Sequence, residues 1–114
     1  MARLLAESVA VVGFGPAGGA LALLLARAGR RVTLFERAPK LGPVGAGILL
    51  QPSGQAVLQR LGLLEKVCDR SERIEMLHAM RSCGRTLVRL RYDGALPDAA
   101  AYGVHRGVLF ELLH

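Results

Sequence analysis

Apolar and polar positions in the first part of the chain predict a strand, a helix and a second strand. Residues 7–12 are mostly apolar and rich in valine, which predicts a strand buried on both faces, as in the centre of a parallel sheet. A helix is predicted from Pro16 to Ala28, and its sheet-facing side is marked by apolar residues at helical spacing, Leu21, Leu24, Leu25 and Ala28. Gly29 is typical of the position after a helix end, and residues 31–35 predict the next strand. The segment has the size of one βαβ unit, whose strands should be parallel.

The pattern that follows predicts a loop and two short helices. Residues 38–47 are rich in glycine and proline, so they predict a loop. Ser53 stands where its side chain can cap a short helix over residues 54–61. A second helical piece is predicted at residues 63–67.

The last part of the chain predicts a hairpin followed by a helix. Between residues 73 and 91 apolar and polar side chains alternate on either side of a turn at residues 82–85, which predicts a β-hairpin. Residues 92–103 have the composition of a loop. Residues 108–113 resemble the start of a helix.

One apolar stretch raises the alternative of a membrane anchor or a signal sequence. Residues 8–26 contain no charged side chain, and about 20 apolar residues suffice to span a bilayer. Four glycines and Pro16 interrupt this stretch, however, where proline costs a helix about 3 kcal/mol and each glycine close to 1 kcal/mol relative to alanine. We therefore predict no membrane span.

Composition indicates one small, apolar domain with a positive charge. The chain has 114 residues, of which 52% are hydrophobic, so disorder is not expected. The apolar excess is also compatible with a surface that a partner covers. The net charge is +6, but the cations are scattered and aromatic residues make up only 4% of the chain, so we predict no nucleic-acid binding. A phosphate-bearing small molecule would benefit from the positive field.

The two cysteines, Cys68 and Cys83, do not have the spacing of metal ligands or of a redox pair. They predict reduced thiols in a cytoplasmic protein that has no metal site.

The most informative motif is G-F-G-P-A-G, with its glycines at positions 13, 15 and 18. It follows a predicted strand and opens a predicted helix, which is the context of a dinucleotide-binding motif. Gly13 would form the tight turn, Gly15 would let a pyrophosphate approach the backbone, and Gly18 would let helix and strand pack closely. The helix N-terminus adds amide donors and a partial positive charge. The predicted cofactor-binding segment therefore comprises Gly13, Phe14, Gly15, Pro16, Ala17 and Gly18.

Glu36 follows the second predicted strand, where an acidic residue of such a motif accepts hydrogen bonds from ribose hydroxyls. A carboxylate there would repel a 2′-phosphate, which disfavours NADP in this site. Arg37 either lies over the adenine or faces water.

Three segments resemble a known family. Residues 11–39, 42–63 and 104–113 are similar, in order and spacing, to the N-terminal part of the FAD-dependent aromatic-ring hydroxylases, the group A flavoprotein monooxygenases. The resemblance implies FAD as the cofactor, with its pyrophosphate on residues 13–18 and its adenosine near Glu36 and Arg37. It places the segment Gly45, Ala46, Gly47 and Ile48 near the flavin, and Arg106 against the ribityl and phosphate part. It assigns no catalytic role to His105.

The expected fold is α/β: a Rossmann-like βαβ domain for FAD or NAD(P), with a β-hairpin insertion, incomplete at its C-terminus. Members of the resembling family use NAD(P)H and O₂ to hydroxylate aromatic or related small molecules, and they are several hundred residues long. We expect residues 1–114 to be the N-terminal part of the FAD-binding domain, without the substrate domain and without catalytic residues. Such a fragment should bind FAD weakly and should not couple NAD(P)H oxidation to hydroxylation. Two alternatives stay open: another FAD- or NAD-dependent oxidoreductase, and a non-enzymatic nucleotide-binding module.

Overall fold

The computed structural model of this chain describes residues 8–40, 42, 45–94 and 99–114. Seven strands and four helices are found in this part of the chain. In chain order they are β1 (Ser8–Val12), α1 (Pro16–Arg27), β2 (Arg31–Phe35), β3 (Gly47–Leu50), α2 (Pro52–Arg60), α3 (Leu64–Cys68), β4 (Ser71–Ile74), β5 (Met76–Met80), β6 (Thr86–Arg91), β7 (Ala101–His105) and α4 (Arg106–Leu113).

The predicted βαβ unit is confirmed. β1 and β2 pair in parallel, from Ser8 opposite Arg31 to Val12 opposite Phe35, and α1 connects them. Gly29 follows α1 with φ +73°, the left-handed conformation expected at that position. The structure thus brings the carboxyl ends of both strands to one edge, where the glycine motif and Glu36 begin.

Two details of the βαβ prediction are wrong. β1 is not buried on both faces, because Val12 is 85% exposed in a sheet of only two described strands. The packed side of α1 is only partly as predicted: Leu24 packs against the core, but Leu21 is 48% exposed, and Ala20 is buried instead. Helical spacing alone did not distinguish the two faces, because α1 is apolar almost all round.

A second, antiparallel sheet has the strand order β3-β7-β4. Neither β3 nor β7 was expected. β3 begins at Gly47, the last residue of the loop predicted over residues 38–47. β7 occupies residues 101–105, which include the end of the loop predicted over residues 92–103. Parts of both predicted loops lie outside the described residues. Alanine and glycine favour strands weakly, but Ala101 and Val104 are almost fully buried, so tertiary packing outweighs local preference.

The predicted hairpin is confirmed as β5 and β6, which pair in antiparallel fashion with a turn around Gly84. The strand expected over residues 73–80 is divided at Glu75, however, and its first part is β4, which pairs with β7 instead. Apolar side chains on the hairpin stay exposed by more than a third: Met76, Leu77, Met80, Leu87, Val88 and Leu90.

The helix ends differ from prediction by up to two residues. α2 begins with Pro52 after an N-cap at Gln51, so Ser53 is not the cap. Proline favours the first helical position because it has no amide hydrogen to satisfy there. α4 begins at Arg106, two residues before the predicted start, and His105 Nδ1 accepts a hydrogen bond from the Gly107 N–H at 3.1 Å. His105 is therefore a helix cap.

The core lies where α2, α3 and α4 meet β7, with α1 packed against one side. Its most deeply buried large side chains are Leu61, Val67, Val104 and Leu109. Within the described ranges, no helix is both long and apolar enough to cross a membrane.

We expect Leu109→Ala to destabilise the chain by about 2–5 kcal/mol, because Leu109 is 2% exposed and its truncation leaves a cavity. Leu87→Ala, at a position 53% exposed on the hairpin, should change the free energy of unfolding by less than about 0.5 kcal/mol. Urea unfolding followed by circular dichroism measures both. Equal losses would contradict the location of the core.

Candidate cofactor-binding site

The loop between β1 and α1, here called the glycine loop (residues 13–18), is fixed to the end of β2. Gly13 has φ +96°, a conformation that side chains rarely adopt, and its N–H donates to the Phe35 carbonyl at 2.7 Å. The chain therefore leaves β1 in a sharp turn and enters α1 directly beside the last residue of β2.

The glycines at 15 and 18 are needed for different reasons. A Cβ at position 18 would collide with the Gly13 carbonyl oxygen, so the folded loop itself requires Gly18. A Cβ at position 15 would meet no atom of the described part of the chain within 4 Å, and Gly15 has φ −82°, which suits any residue. Among the described residues nothing requires a glycine at 15. The close approach of a ligand to this backbone would require one.

The first turn of α1 is suited to bind an anion. Gly15 is the N-cap, and no side chain caps the helix. The Gly19 N–H makes an intrahelical bond to the Gly15 carbonyl at 2.9 Å, but the N–H groups of Ala17 and Gly18 precede any available helical acceptor. These donors and the helix dipole point at one place, which is how helix N-termini bind phosphate.

Glu36 joins the glycine loop to the chain after β2. Its Oε2 accepts a hydrogen bond from the Phe14 N–H at 2.6 Å, and its Oε1 accepts one from the Ala38 N–H at 2.8 Å. The Ala38 and Phe14 amides hold the pKa of this exposed carboxyl below its usual value. Each carboxylate oxygen can accept more than one hydrogen bond, so capacity remains for ribose hydroxyls. The sequence predicted the ribose role but not this bond to the loop.

Arg37 is exposed beside Glu36, and its positive charge adds a smaller contribution to the lowered pKa of that carboxyl. Both alternatives for its side chain, the adenine or water, stay open.

The segment from Gly45 to Ile48 lies beside Arg106. Gly47 pairs with His105 across β3 and β7, and the Arg106 N–H donates to the Ala46 carbonyl at 3.2 Å. The Arg106 side chain lies across Gly45, because a Cβ there would stand 3.0 Å from its Nη1.

An aromatic contact connects α4 to the glycine loop. The rings of Phe14 and Phe110 pack edge to face with centroids 5.8 Å apart, and His114 packs against both. Arg106 lies one helical turn before Phe110 on the same face of α4. The structure therefore places Arg106 on the side of the fold that carries the glycine loop. The aromatic residue inside the G-x-G motif was the signal for this contact, and sequence reasoning did not use it.

An apolar cleft of about 230 Å³ adjoins the start of α1. It lies between α1, β3, α2 and α4, and Pro16, Ala17, Ile48 and Leu109 are among its walls. Three of the predicted site residues, Pro16, Ala17 and Ile48, thus line an apolar recess that adjoins the amide groups at the start of α1.

These features fit an adenine dinucleotide. The bare Gly15 backbone and the free donors of α1 suit a pyrophosphate, and Glu36 has acceptor capacity for a ribose. No group of histidine, cysteine, aspartate or glutamate side chains in the described ranges could hold a metal ion. Cys68 and Cys83 are free thiols.

Comparisons with known proteins agree with this geometry. The model of the FAD binding domain family matches residues 6–107. The chain is 46% identical over 84 residues to the 6-methylpretetramide 4-monooxygenase of Streptomyces rimosus, a match that covers 74% of this chain and 20% of that protein. It is 35% identical over 107 residues to the 3-hydroxybenzoate 6-hydroxylase of Klebsiella oxytoca, covering 91% of this chain and 25% of that protein.

A solved structure is similar in fold as well. The crystal structure of a 2-methyl-3-hydroxypyridine-5-carboxylic acid oxygenase superposes with a TM-score of 0.73 at 27% identity, over 93% of this chain and 27% of that one. The chain thus spans about a fifth to a quarter of the length of these curated relatives.

Glu36→Gln should make the stability of the chain less sensitive to acid. The pKa of Glu36 is lowered by folding, so its carboxylate stabilises the fold fully above its usual value of 4.5, and that contribution is lost as the pH falls below 4.5 through the lower folded value. Glutamine does not titrate. Urea unfolding at several values from about pH 6 to about pH 3 measures the difference. Identical pH profiles for the two proteins would show that Glu36 does not hold the loop through its charge.

Proposed function

We propose a function for this chain from one premise: it belongs to the FAD binding domain family. The chain binds FAD as part of an NAD(P)H-dependent monooxygenase that hydroxylates an aromatic or related small molecule. The single observation that best supports the cofactor site is Gly15: its backbone has no side chain, although the described fold would accept one.

The glycine loop binds the pyrophosphate. The N–H groups at the start of α1 donate to phosphate oxygens, and the open space at Gly15 lets those oxygens reach the backbone. The α1 first turn has no acidic residue to compete for these donors or to repel the phosphates.

Glu36 binds the adenosine ribose while it keeps the loop in place. Its two oxygens are held by the Phe14 and Ala38 amides, so the carboxylate is oriented before the ligand arrives. Because it is ionised, it favours ribose hydroxyls and repels a 2′-phosphate, so NADP is disfavoured here. Arg37 borders the same part of the ligand.

The segment from Gly45 to Ile48, together with Arg106, binds the flavin half. Arg106 supplies a positive charge on the side of the phosphates, and Ile48 contributes to the apolar recess beside the start of α1. When bound, FAD supplies the redox chemistry: electrons from NAD(P)H and the activation of O₂. The residues of this chain bind and orient it.

The relatives support the monooxygenase part of the proposal. Two of them bear names of enzymes that oxygenate aromatic compounds, and they share up to 46% of residues with the matched part of this chain. Their substrates are not transferred to this chain, which covers at most a quarter of either. We propose a small-molecule substrate and no nucleic-acid partner.

We further propose a cytoplasmic protein. Cys68 is half-buried and Cys83 is exposed on the hairpin, and both are free thiols. Thiols of this kind persist in a reducing compartment.

Gly15→Ala should affect stability and FAD binding in opposite directions. Alanine fits the φ of −82° without a clash, so the free energy of unfolding should stay equal or rise by about 0.4–1 kcal/mol. FAD affinity should fall by about tenfold or more, because the new methyl group occupies the phosphate position. Isothermal titration with FAD and urea unfolding measure the two quantities.

Gly94→Ala is the matched control, since among the described residues a Cβ there would meet only the Arg91 carbonyl, at 3.8 Å, in a turn after the hairpin. It should leave FAD affinity unchanged. If Gly15→Ala bound FAD as tightly as the parent chain, the phosphate site would not be at Gly15.

The ligand itself should be recognised through its adenosine diphosphate half. FAD should bind at least about tenfold more tightly than FMN, which lacks the second phosphate and the adenosine, and ADP should compete with FAD. Adding a 2′-phosphate to the ADP should abolish the competition, and Glu36→Gln should partly restore it. Isothermal titration measures the affinities for FAD and FMN, and displacement of FAD followed by its fluorescence measures competition by ADP and by its 2′-phosphate. FMN binding as tight as FAD binding would contradict the assignment of the glycine loop and Glu36.

A further inference from the structure

The Arg106 side chain lies close to the backbone of Gly45. A Cβ on Gly45 would stand 3.0 Å from Nη1, 3.3 Å from Cδ and 3.5 Å from Cζ of Arg106. Any other amino acid at position 45 would therefore crowd both the guanidinium and the last carbon of its stem.

The backbone conformation at position 45 also favours glycine over residues that have a side chain. Gly45 has φ +93°, in the left-handed region that most side chains avoid. The chain that follows Gly45 is fixed to the start of α4, because the Arg106 N–H donates to the Ala46 carbonyl and Gly47 pairs with His105. A side chain at 45 would crowd the Arg106 side chain, which is long and exposed and can move aside.

We infer that Gly45 is a positioning residue for the cofactor: its bare backbone fixes the direction in which Arg106 presents its charge to the phosphates. The inference rests on the proposed FAD site and assigns a reason to one glycine within it. Arg106 is exposed, and a long exposed side chain loses rotamer freedom when it binds. A surface that already confines it lowers that loss, so the cation is ordered before the ligand arrives.

A second glycine with left-handed backbone, Gly84, allows the effect of backbone strain to be measured apart from the effect on Arg106. Gly84, in the hairpin turn, has φ +82°, and a Cβ on it would meet none of the residues that the structure describes within 4 Å. Asparagine tolerates left-handed backbone better than other residues with side chains. Gly45→Asn and Gly84→Asn therefore impose similar strain, but only the first displaces Arg106.

The experiment measures FAD affinity and thermal unfolding for the parent chain, Gly45→Asn, Gly84→Asn, Arg106→Ala and the double variant Gly45→Asn/Arg106→Ala. Gly45→Asn should bind FAD about threefold to tenfold more weakly than the parent, while Gly84→Asn should bind as the parent does. The unfolding midpoints of the two asparagine variants, measured without FAD, should fall by similar amounts. In the Arg106→Ala background, Gly45→Asn should have no further effect on affinity.

Two outcomes overturn the inference. One is an affinity of Gly45→Asn equal to that of the parent; the other is an equal loss of affinity with and without Arg106, which would mean that strain alone is responsible. A parent chain that does not bind FAD contradicts the proposed function, and this inference with it. A parent that binds FAD with an unaffected Gly45→Asn variant contradicts the inference alone.

Discussion

The site depends on one constraint: the backbone between β1 and α1 must turn sharply and still leave its amide groups free for a ligand. Gly13 supplies the turn, and the absence of a side chain at Gly18 lets α1 start directly above it. Glu36 then closes the arrangement from the neighbouring strand by accepting the Phe14 N–H. A carboxylate that would otherwise repel phosphate is thereby held at the side of the loop, where ribose hydroxyls are expected.

The rest of the described fold brings the second half of the site to this loop. β7 lies at the centre of its sheet, and the chain passes from its end directly into α4, so Arg106 stands where strand and helix meet. The contact between Phe14 and Phe110 attaches α4 to the glycine loop. Two segments separated by about ninety residues of chain thus border one surface, and burial of Leu109 and Val104 beneath them keeps that surface fixed.

The features that the sequence predicted correctly are those that depend on residues close together in the chain. The turn at Gly13, the helix after Pro16 and the parallel pairing of β1 with β2 depend on residues within one βαβ unit, and these predictions were confirmed. β3 and β7 were missed because burial by distant residues, and not their own preferences, makes them strands. The packed face of α1 was predicted only in part, because α1 is apolar almost all round and one of its partners, α4, lies far along the chain.

The features of the candidate site also divide into those that residue types indicate and those that depend on contacts between distant segments. Glycine spacing and an acidic residue after β2 pointed to the loop and Glu36, because these residue types at this spacing are typical of a dinucleotide-binding motif. The bond from Glu36 to Phe14, the aromatic contact with α4 and the surface that Gly45 offers to Arg106 are all contacts between distant segments. Their residue types do not reveal them, so only the folded chain does.

The central claim is that a dinucleotide sits on the bare backbone of the glycine loop. Backbone amide shifts in a ¹H–¹⁵N spectrum, followed during titration with FAD, test it most directly. The account predicts that Gly15, Ala17, Gly18 and Phe14 shift together and saturate at one FAD concentration, while Gly84 in the hairpin turn does not move. Shifts concentrated in the hairpin, with the glycine loop unchanged, would contradict it.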